Sequence, residues 1–215
     1  MKDKKLFIFD LDGTLVNAYK AIENSLNFTR KQLGYGKVNS GRIRFSVGHG
    51  DKDFVSRFFN KQDKYQALAI YRKHHKKALL RNSSLYPKTK LLLYTLRKKG
   101  KKVAVASNRP SFYTNILLKT LGIRKYFDAV YCADKVGSLK PDPKILKVIL
   151  DRFKNKTEEA IYFGDMDIDL ETAKRAKIDM VFKKGGSSRL SEVKKYKTKK
   201  VISKLEDILK ELNKK

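Results

Sequence analysis

Asp10 and Asp12 stand two residues apart at the end of the apolar run Leu6-Phe7-Ile8-Phe9, and Gly13-Thr14 follow at once. Residues two apart in an extended chain project to the same side, so the two carboxylates face together. Three further apolar runs lead into comparable chemistry. Residues 102–107 end on Ser107, followed by Asn108, Arg109 and Pro110. The segment after 128–133 carries Ser138, Lys140 and Asp142 among prolines, and 160–165 ends on Gly164-Asp165 with Asp167 and Asp169 close behind. Gathered at one edge, these carboxylates would be costly to desolvate without a cation to balance them. An all-oxygen set suits magnesium, which takes one or two carboxylates and keeps a place for substrate phosphate. One carboxylate can then attack phosphorus and form an aspartyl-phosphate. The other can carry the leaving group's proton. A serine hydroxyl, backbone N–H groups and a lysine can hold the transferring oxygens.

The elements that must position these residues alternate. Apolar runs at 6–10, 102–107, 128–133, 160–165 and 179–183 read as strands, with a weaker sixth at 200–203. Between them lie helical stripes: 88–100, stopped by Gly100; 110–122, with Pro110 in its first turn and Gly122 at its end; and 142–153, with Asp142 as N-cap and Pro143 at the first helical position. Ile145, Leu146, Ile149, Leu150 and Phe153 form one face of the last. Strands alternating with helices predict βαβ units and an α/β fold, a Rossmann-like parallel sheet. Runs that are continuously apolar predict a sheet covered by helices on both faces. Ligands in such a sheet bind beyond the carboxyl ends of the strands, where the candidate residues stand.

Residues 17–84 break the rhythm. Ile22, Leu26, Thr29 and Leu33 share a helical face; Asp51 would cap a helix bearing Phe54, Val55, Phe58 and Phe59; a third helix runs over 64–80. No strand is predicted there. The expectation is a core of residues 1–16 and 85–215 with an all-helical cap inserted at 17–84.

With 51 Lys and Arg against 22 Asp and Glu, the chain has a net charge of +29. The lysines are spread along its whole length, including 96–102, 154–156, 194–200 and the terminus. That spread predicts a solvated surface with non-specific attraction to polyanions rather than a specific nucleic-acid partner. Cys132 is the only cysteine, so there is no internal disulfide, and it reads as a packing residue. No run approaches the length of a membrane span and no signal-peptide pattern opens the chain, so a cytoplasmic monomer or weak dimer is expected.

The stretches "LFIFDLDGTLV", "VAVASNRP", "GSLKPDP" and "YFGDMDIDLETAK" occur in order at strand ends. Together they resemble the four motifs of the haloacid dehalogenase-type phosphohydrolase superfamily, over nearly the whole core. The helical insertion after the first motif is similar to the cap of its first subclass. The resemblance implies Asp10 as nucleophile and magnesium ligand, and Asp12 as general acid/base, lending the metal its carbonyl. It implies Thr14 holding Asp12, Ser107 and the Asn108 N–H binding the phosphoryl group, and Lys140 neutralising nucleophile and phosphate. Asp165 would be a metal ligand, with Asp169 beside it supporting the metal and Lys140; Asp167 falls at a variable position, solvated or behind the ligands. Dehalogenases of the superfamily lack the second aspartate, so Asp12 favours phosphoryl transfer.

Within the subclass the chain looks most like phosphoglycolate phosphatases: "FSVGHG" (45–50) is similar to their VGxG cap loop and "SNRP" to their TNKP-type second motif. It departs from many relatives in having Asn17-Ala18 where they have Asp-Ser. A small phosphorylated acid is therefore the expected substrate. Pyrophosphate, a nucleotide, a sugar phosphate, a mutase reaction of the β-phosphoglucomutase kind, and a phosphate at a nucleic-acid end are the alternatives. His49, Arg42 and Arg44 in or near the loop are candidates to meet a substrate anion. Gly48 and Gly50 read as turn residues, and His74-His75, in a lysine-rich helix, as solvated.

Overall fold

A computed structural model describes residues 1–196 and 198–213. Lys197, Lys214 and Lys215, members of the two C-terminal lysine runs, lie outside the described residues. Strands in chain order are β1 (Leu6–Phe9), β2 (Val16–Asn17), β3 (Ser84–Leu85), β4 (Lys102–Ser107), β5 (Ala129–Cys132), β6 (Ala160–Gly164), β7 (Asp179–Lys183) and β8 (Lys200–Ile202). Helices α1 (Tyr19–Gln32), α2 (Ser40–Arg44), α3 (Gly50–Ser56) and α4 (Lys64–Asn82) fill the stretch between β2 and β3. Then come α5 (Thr89–Lys98), α6 (Ser111–Thr120), α7 (Ala133–Val136), α8 (Lys144–Phe153), α9 (Asp167–Ala176), α10 (Leu190–Val193) and α11 (Glu206–Asn213).

Six strands form one parallel sheet in the order β5-β4-β1-β6-β7-β8. The predicted α/β architecture is the observed one, including the weak sixth strand. The chain leaves β1 for one side of the sheet and returns to its other side at β6. The carboxyl ends of β1, β4 and β6 therefore flank the point where the order reverses, the place where such sheets bind ligands.

Alternate residues of each strand enter opposite cores. Phe7, Phe9, Val103, Val105 and Phe163 join leucines of α5 and α6 and the apolar face of α11. Leu6, Ile8, Ala104, Tyr162 and Phe182 join α8 and α9. Phe9 and Phe163 stack across the β1–β6 register at 4.6 Å. Helices α1–α4 carry a separate apolar cluster of Ile22, Leu26, Phe54, Val55, Phe58 and Tyr71.

Helix starts shift slightly from the sequence pattern. Pro110 and Pro143 are the residues before α6 and α8 rather than their first turns, while the Asp142 carboxylate still accepts from the Lys144 N–H at 2.8 Å. Asp51 caps nothing: it lies in the first turn of α3 and takes both its hydrogen bonds from Arg72, because α4 packs alongside. The stretch expected to hold no strand is closed at both ends by one. β2 and β3 pair antiparallel, Val16 with Leu85 and Asn17 with Ser84, so the chain's two crossings to the helices run side by side. Just before them, Asp12 bridges to Val16, with Gly13 N–H donating to the Val16 carbonyl at 2.8 Å. Among the described residues no helix is long and apolar enough to cross a membrane.

Candidate active site

The apolar stripe of β1 ends on Asp10, whose N–H continues the ladder to the Phe163 carbonyl at 2.8 Å. Its buried carboxylate accepts from Lys140 Nζ at 2.7 Å. Lys140 is brought there by the loop before α8. Asn108 fixes that loop, accepting from the Lys140 N–H at 2.8 Å and donating to the Lys140 carbonyl at 3.1 Å. Asn108 Nδ2 also donates to the Gly48 carbonyl at 2.8 Å, tying the helical segment to the sheet. A Cβ at Gly48 would stand 2.1 Å from Met166 Cε, so the methionine tip would have to move, and its φ of +129° disfavours a side chain in any case. Gly48 and Gly50 both have positive φ, as turn residues do.

Asp165, at the end of β6, is fully buried. Thr14 Oγ1 donates to its Oδ1 at 2.9 Å, and the Ser187 N–H to its Oδ2 at 2.9 Å. Thr14 thus holds Asp165 rather than Asp12, because the turn after Asp12 folds back on Val16 and presents Thr14 to the neighbouring strand end. Asp169, in the first turn of α9, accepts from Lys140 Nζ at 2.7 Å and Tyr162 OH at 2.6 Å on one oxygen. Its other oxygen accepts from the Asp165 and Met166 N–H groups at 3.2 and 3.1 Å. Asp167 stays outside this set; its carboxylate accepts from the Ile168 N–H and from Ser188 at the head of α9.

Carboxylate oxygens of Asp10, Asp165 and Asp169 lie within 4.8 Å of one another. Burial, opposed by Lys140 and reinforced by Asp169 and Asp165, pushes the Asp10 carboxyl well above the usual range. Burial and then Asp169 push Asp165 up to about 7, against the Ser187 N–H, Thr14 and Lys183. Such a buried, all-oxygen, negatively crowded cluster fits a hard divalent cation. Of the three carboxylates, those of Asp10 and Asp165 are the ones free enough to take a cation. Asp169 is less so, since four donors occupy the roughly four acceptor positions of a carboxylate.

Asp12 turns toward Arg109, which the sequence reading left without a role. Arg109 Nε and Nη2 donate to its two oxygens, each at 2.8 Å, in a bidentate pair. Ser107 is buried beside it, accepting from the Arg109 N–H at 3.2 Å. Behind Arg109 stands His75, which is not solvated but 2% exposed. Tyr71, His75 and Leu79 recur at four-residue steps on the inward face of α4, so the lysine-rich composition misleads and the spacing does not. His74 is half-buried, stacked on Phe28.

The loop candidates separate. His49 is half-buried at the head of α3 and lines an outer groove. Arg42 is exposed and lies over the Phe58 ring, away from the carboxylates. Arg44 reaches the sheet: its guanidinium stacks over Tyr19 at 4.6 Å and donates to the Gly186 carbonyl at 3.0 Å and to the Gly185 carbonyl. Tyr19 in turn bonds Ser187 Oγ at 2.8 Å and points at Asp165. The sequence reading missed Tyr19, Ser187 and Lys183, whose Nζ donates to the Gly13 carbonyl at 2.9 Å. The Gly-Gly-Ser-Ser turn after β7 was the available signal for Ser187.

Between the helices and the sheet ends lies a cavity of about 70 Å³. Asp12, Asn108, Arg109, His75, Tyr71 and Phe54 are among its walls.

Residues 7–183 match the family model described as haloacid dehalogenase-like hydrolase. A phosphoglycolate phosphatase of Aquifex aeolicus is 30% identical over 172 residues, 80% of this chain and 81% of that protein. One from Colwellia psychrerythraea is 29% identical over 191 residues, 84% of each. The crystal structure of a predicted phosphoglycolate phosphatase from Haemophilus somnus shares the fold, with a TM-score of 0.89 over 98% of each chain at 23% identity. With all its strand-end motifs inside the matched region, the chain belongs to the haloacid dehalogenase-like hydrolase family.

Proposed function

We propose that the protein is a magnesium-dependent phosphatase that hydrolyses a small phosphomonoester of the phosphoglycolate type through an aspartyl-phosphate on Asp10. The phosphatase class follows from the family and from relatives that carry that name. The cavity carries the finer reading. At about one water-sized site per 10–15 Å³, about 70 Å³ leaves room for roughly five to seven non-hydrogen atoms. A glycolate leaving group fits within it; a nucleoside or a hexose would have to extend into the outer groove that shares Gly50, Asp51, Asn108, Pro110 and Tyr113 with it. Inorganic phosphate, the leaving group of pyrophosphate, meets the same limit and is the necessary comparison.

In this reading Asp10 attacks phosphorus, and Ser107, the Asn108 N–H and Lys140 hold the transferring oxygens. Asp12 gives the leaving oxygen its proton and later takes one from water. Asp10, the Asp12 carbonyl and Asp165 would hold magnesium, which would supply neutralisation of the phosphoryl charge. Asp169 keeps Lys140 aimed at Asp10. Residues 17–84 act as the cap that excludes water and sizes the leaving group. His49 and Arg42 serve the approach of an anion rather than its final contact.

The test is phosphate release with magnesium from phosphoglycolate, pyrophosphate, a nucleoside monophosphate, a hexose phosphate and a 3′-phosphorylated DNA end. Phosphoglycolate should lead, and Asp10→Asn should reduce turnover at least about 10³-fold while leaving the thermal midpoint near that of the parent. Equal activity of Asp10→Asn would sink the mechanism; a preference for the hexose or the DNA end would sink the substrate.

A further inference from the structure

Arg109 is the one cation among the described residues lining the cavity, and it is 9% exposed. Its partners are laid out in a chain. Nε and Nη2 donate to Asp12, and Nη1 donates to His75 Nε2 at 3.0 Å. His75 Nδ1 faces Ser25 Oγ at 3.0 Å, and Ser25 donates to the Ala21 carbonyl at 2.8 Å. Burial and then the adjacent Arg109 hold His75 well below its ordinary 6.5, so the ring is neutral. It can accept from Arg109 only through Nε2 with its proton on Nδ1, which then goes to Ser25. The chain pins the guanidinium from behind. By this count three of its five N–H groups are committed, and one on each Nη remains for a ligand in the cavity. The other carboxylate at the cavity wall, Asp51, is held bidentately by Arg72 and does not compete for Arg109.

We propose that Arg109 is the receptor for a carboxylate on the leaving group, and that this carboxylate takes the place of Asp12 on the guanidinium, with His75 as the positioning residue; the proposal rests on the phosphatase reading above. While Arg109 holds both its oxygens, Asp12 is turned away from the leaving oxygen it must serve. A buried guanidinium cannot be left without a partner, so Asp12 leaves only when another anion arrives. An incoming carboxylate puts two negative charges on one cation in a poorly screened cavity, and like-charge repulsion drives Asp12 off. The guanidinium keeps one anionic partner throughout, and the released Asp12 carboxylate takes up a proton from water, the proton it then gives to the leaving oxygen. A leaving group of the same size with a hydroxyl in place of the carboxylate gives no such push. Discrimination therefore appears in kcat as well as KM.

The experiment compares phosphoglycolate with 2-hydroxyethyl phosphate in the parent, Arg109→Gln, Arg109→Lys and His75→Phe proteins. It also titrates glycolate and ethylene glycol into each by calorimetry. The parent should favour the acid about 100-fold or more in kcat/KM, with part of the ratio in kcat, and should bind glycolate but not the diol. Arg109→Gln should bring the ratio within about threefold and abolish glycolate binding. Arg109→Lys, which keeps the charge and loses the fork, should keep less than about a tenth of the ratio. His75→Phe, which keeps the ring against Tyr71 but removes the acceptor behind Nη1, should lower the ratio and weaken glycolate binding. A ratio near one in the parent, or a ratio and glycolate affinity unchanged in Arg109→Gln, overturns the proposal. Release of no phosphate from any ester by the parent would overturn the phosphatase reading instead, and glycolate binding would still decide the role of Arg109.

Discussion

Gly186 shows how closely Asp165 is fitted. A Cβ there would stand 1.8 Å from Asp165 Oδ2, so Gly186→Ala must push the carboxylate aside. The expected result is magnesium affinity at least about tenfold weaker by calorimetric titration, together with a lower thermal midpoint from the overpacking. Affinity equal to the parent's would mean that Asp165 does not hold the metal. Single residues were legible where chemistry is announced by neighbours in sequence: Asp10-Leu11-Asp12-Gly13 and Gly164-Asp165 at the ends of apolar runs. They were not legible where a role depends on a partner far along the chain. Arg109 meets Asp12 across 97 residues and His75 across 34, and only the closing of helices over the sheet puts them together. Thr14 was assigned to its sequence neighbour Asp12, and the turn gave it to Asp165 instead.

At the scale of elements, β6 begins at a small electrostatic knot. Glu159 accepts from Lys5 at 2.5 Å, Asn155 at 3.1 Å and the Lys156 N–H at 3.0 Å, joining the starts of β1 and β6. These bonds, Lys5 first, lower its pKa from the ordinary 4.5 to about 2. A depressed acid stabilises the fold above its unfolded pKa and loses that contribution as pH falls through the folded one. The parent should therefore lose stability relative to Glu159→Gln between about pH 4.5 and 2, seen as converging urea midpoints. Midpoints that stay a constant distance apart over that window would remove the knot from the account. The strands themselves were legible because their continuous apolar runs have one physical explanation, coverage on both faces. β2 and β3 were not, since two residues each leave no periodicity to read.

For the whole molecule the dominant quantity is a net charge of +29. Like charges so numerous oppose compactness, and salt screens them over about 10 Å at 0.1 M. The thermal midpoint should rise between 20 and 300 mM sodium chloride, by about 2–4 °C for each kcal/mol of repulsion relieved in a chain of this size. A midpoint that does not move would mean that the lysines are neutralised by close partners. The whole molecule also has one covalent neck between the apolar cores of its sheet and the apolar cluster of α1–α4. Both crossings to α1–α4 pass through the paired β2 and β3, so the two chain passages share one narrow ribbon. Val16 sits on that ribbon, and Asp12 is bridged to Val16. The residue at the cavity wall and the neck of the chain are thus neighbours, and a substitution that disturbs the Val16–Leu85 pairing reaches Asp12 through one bridge.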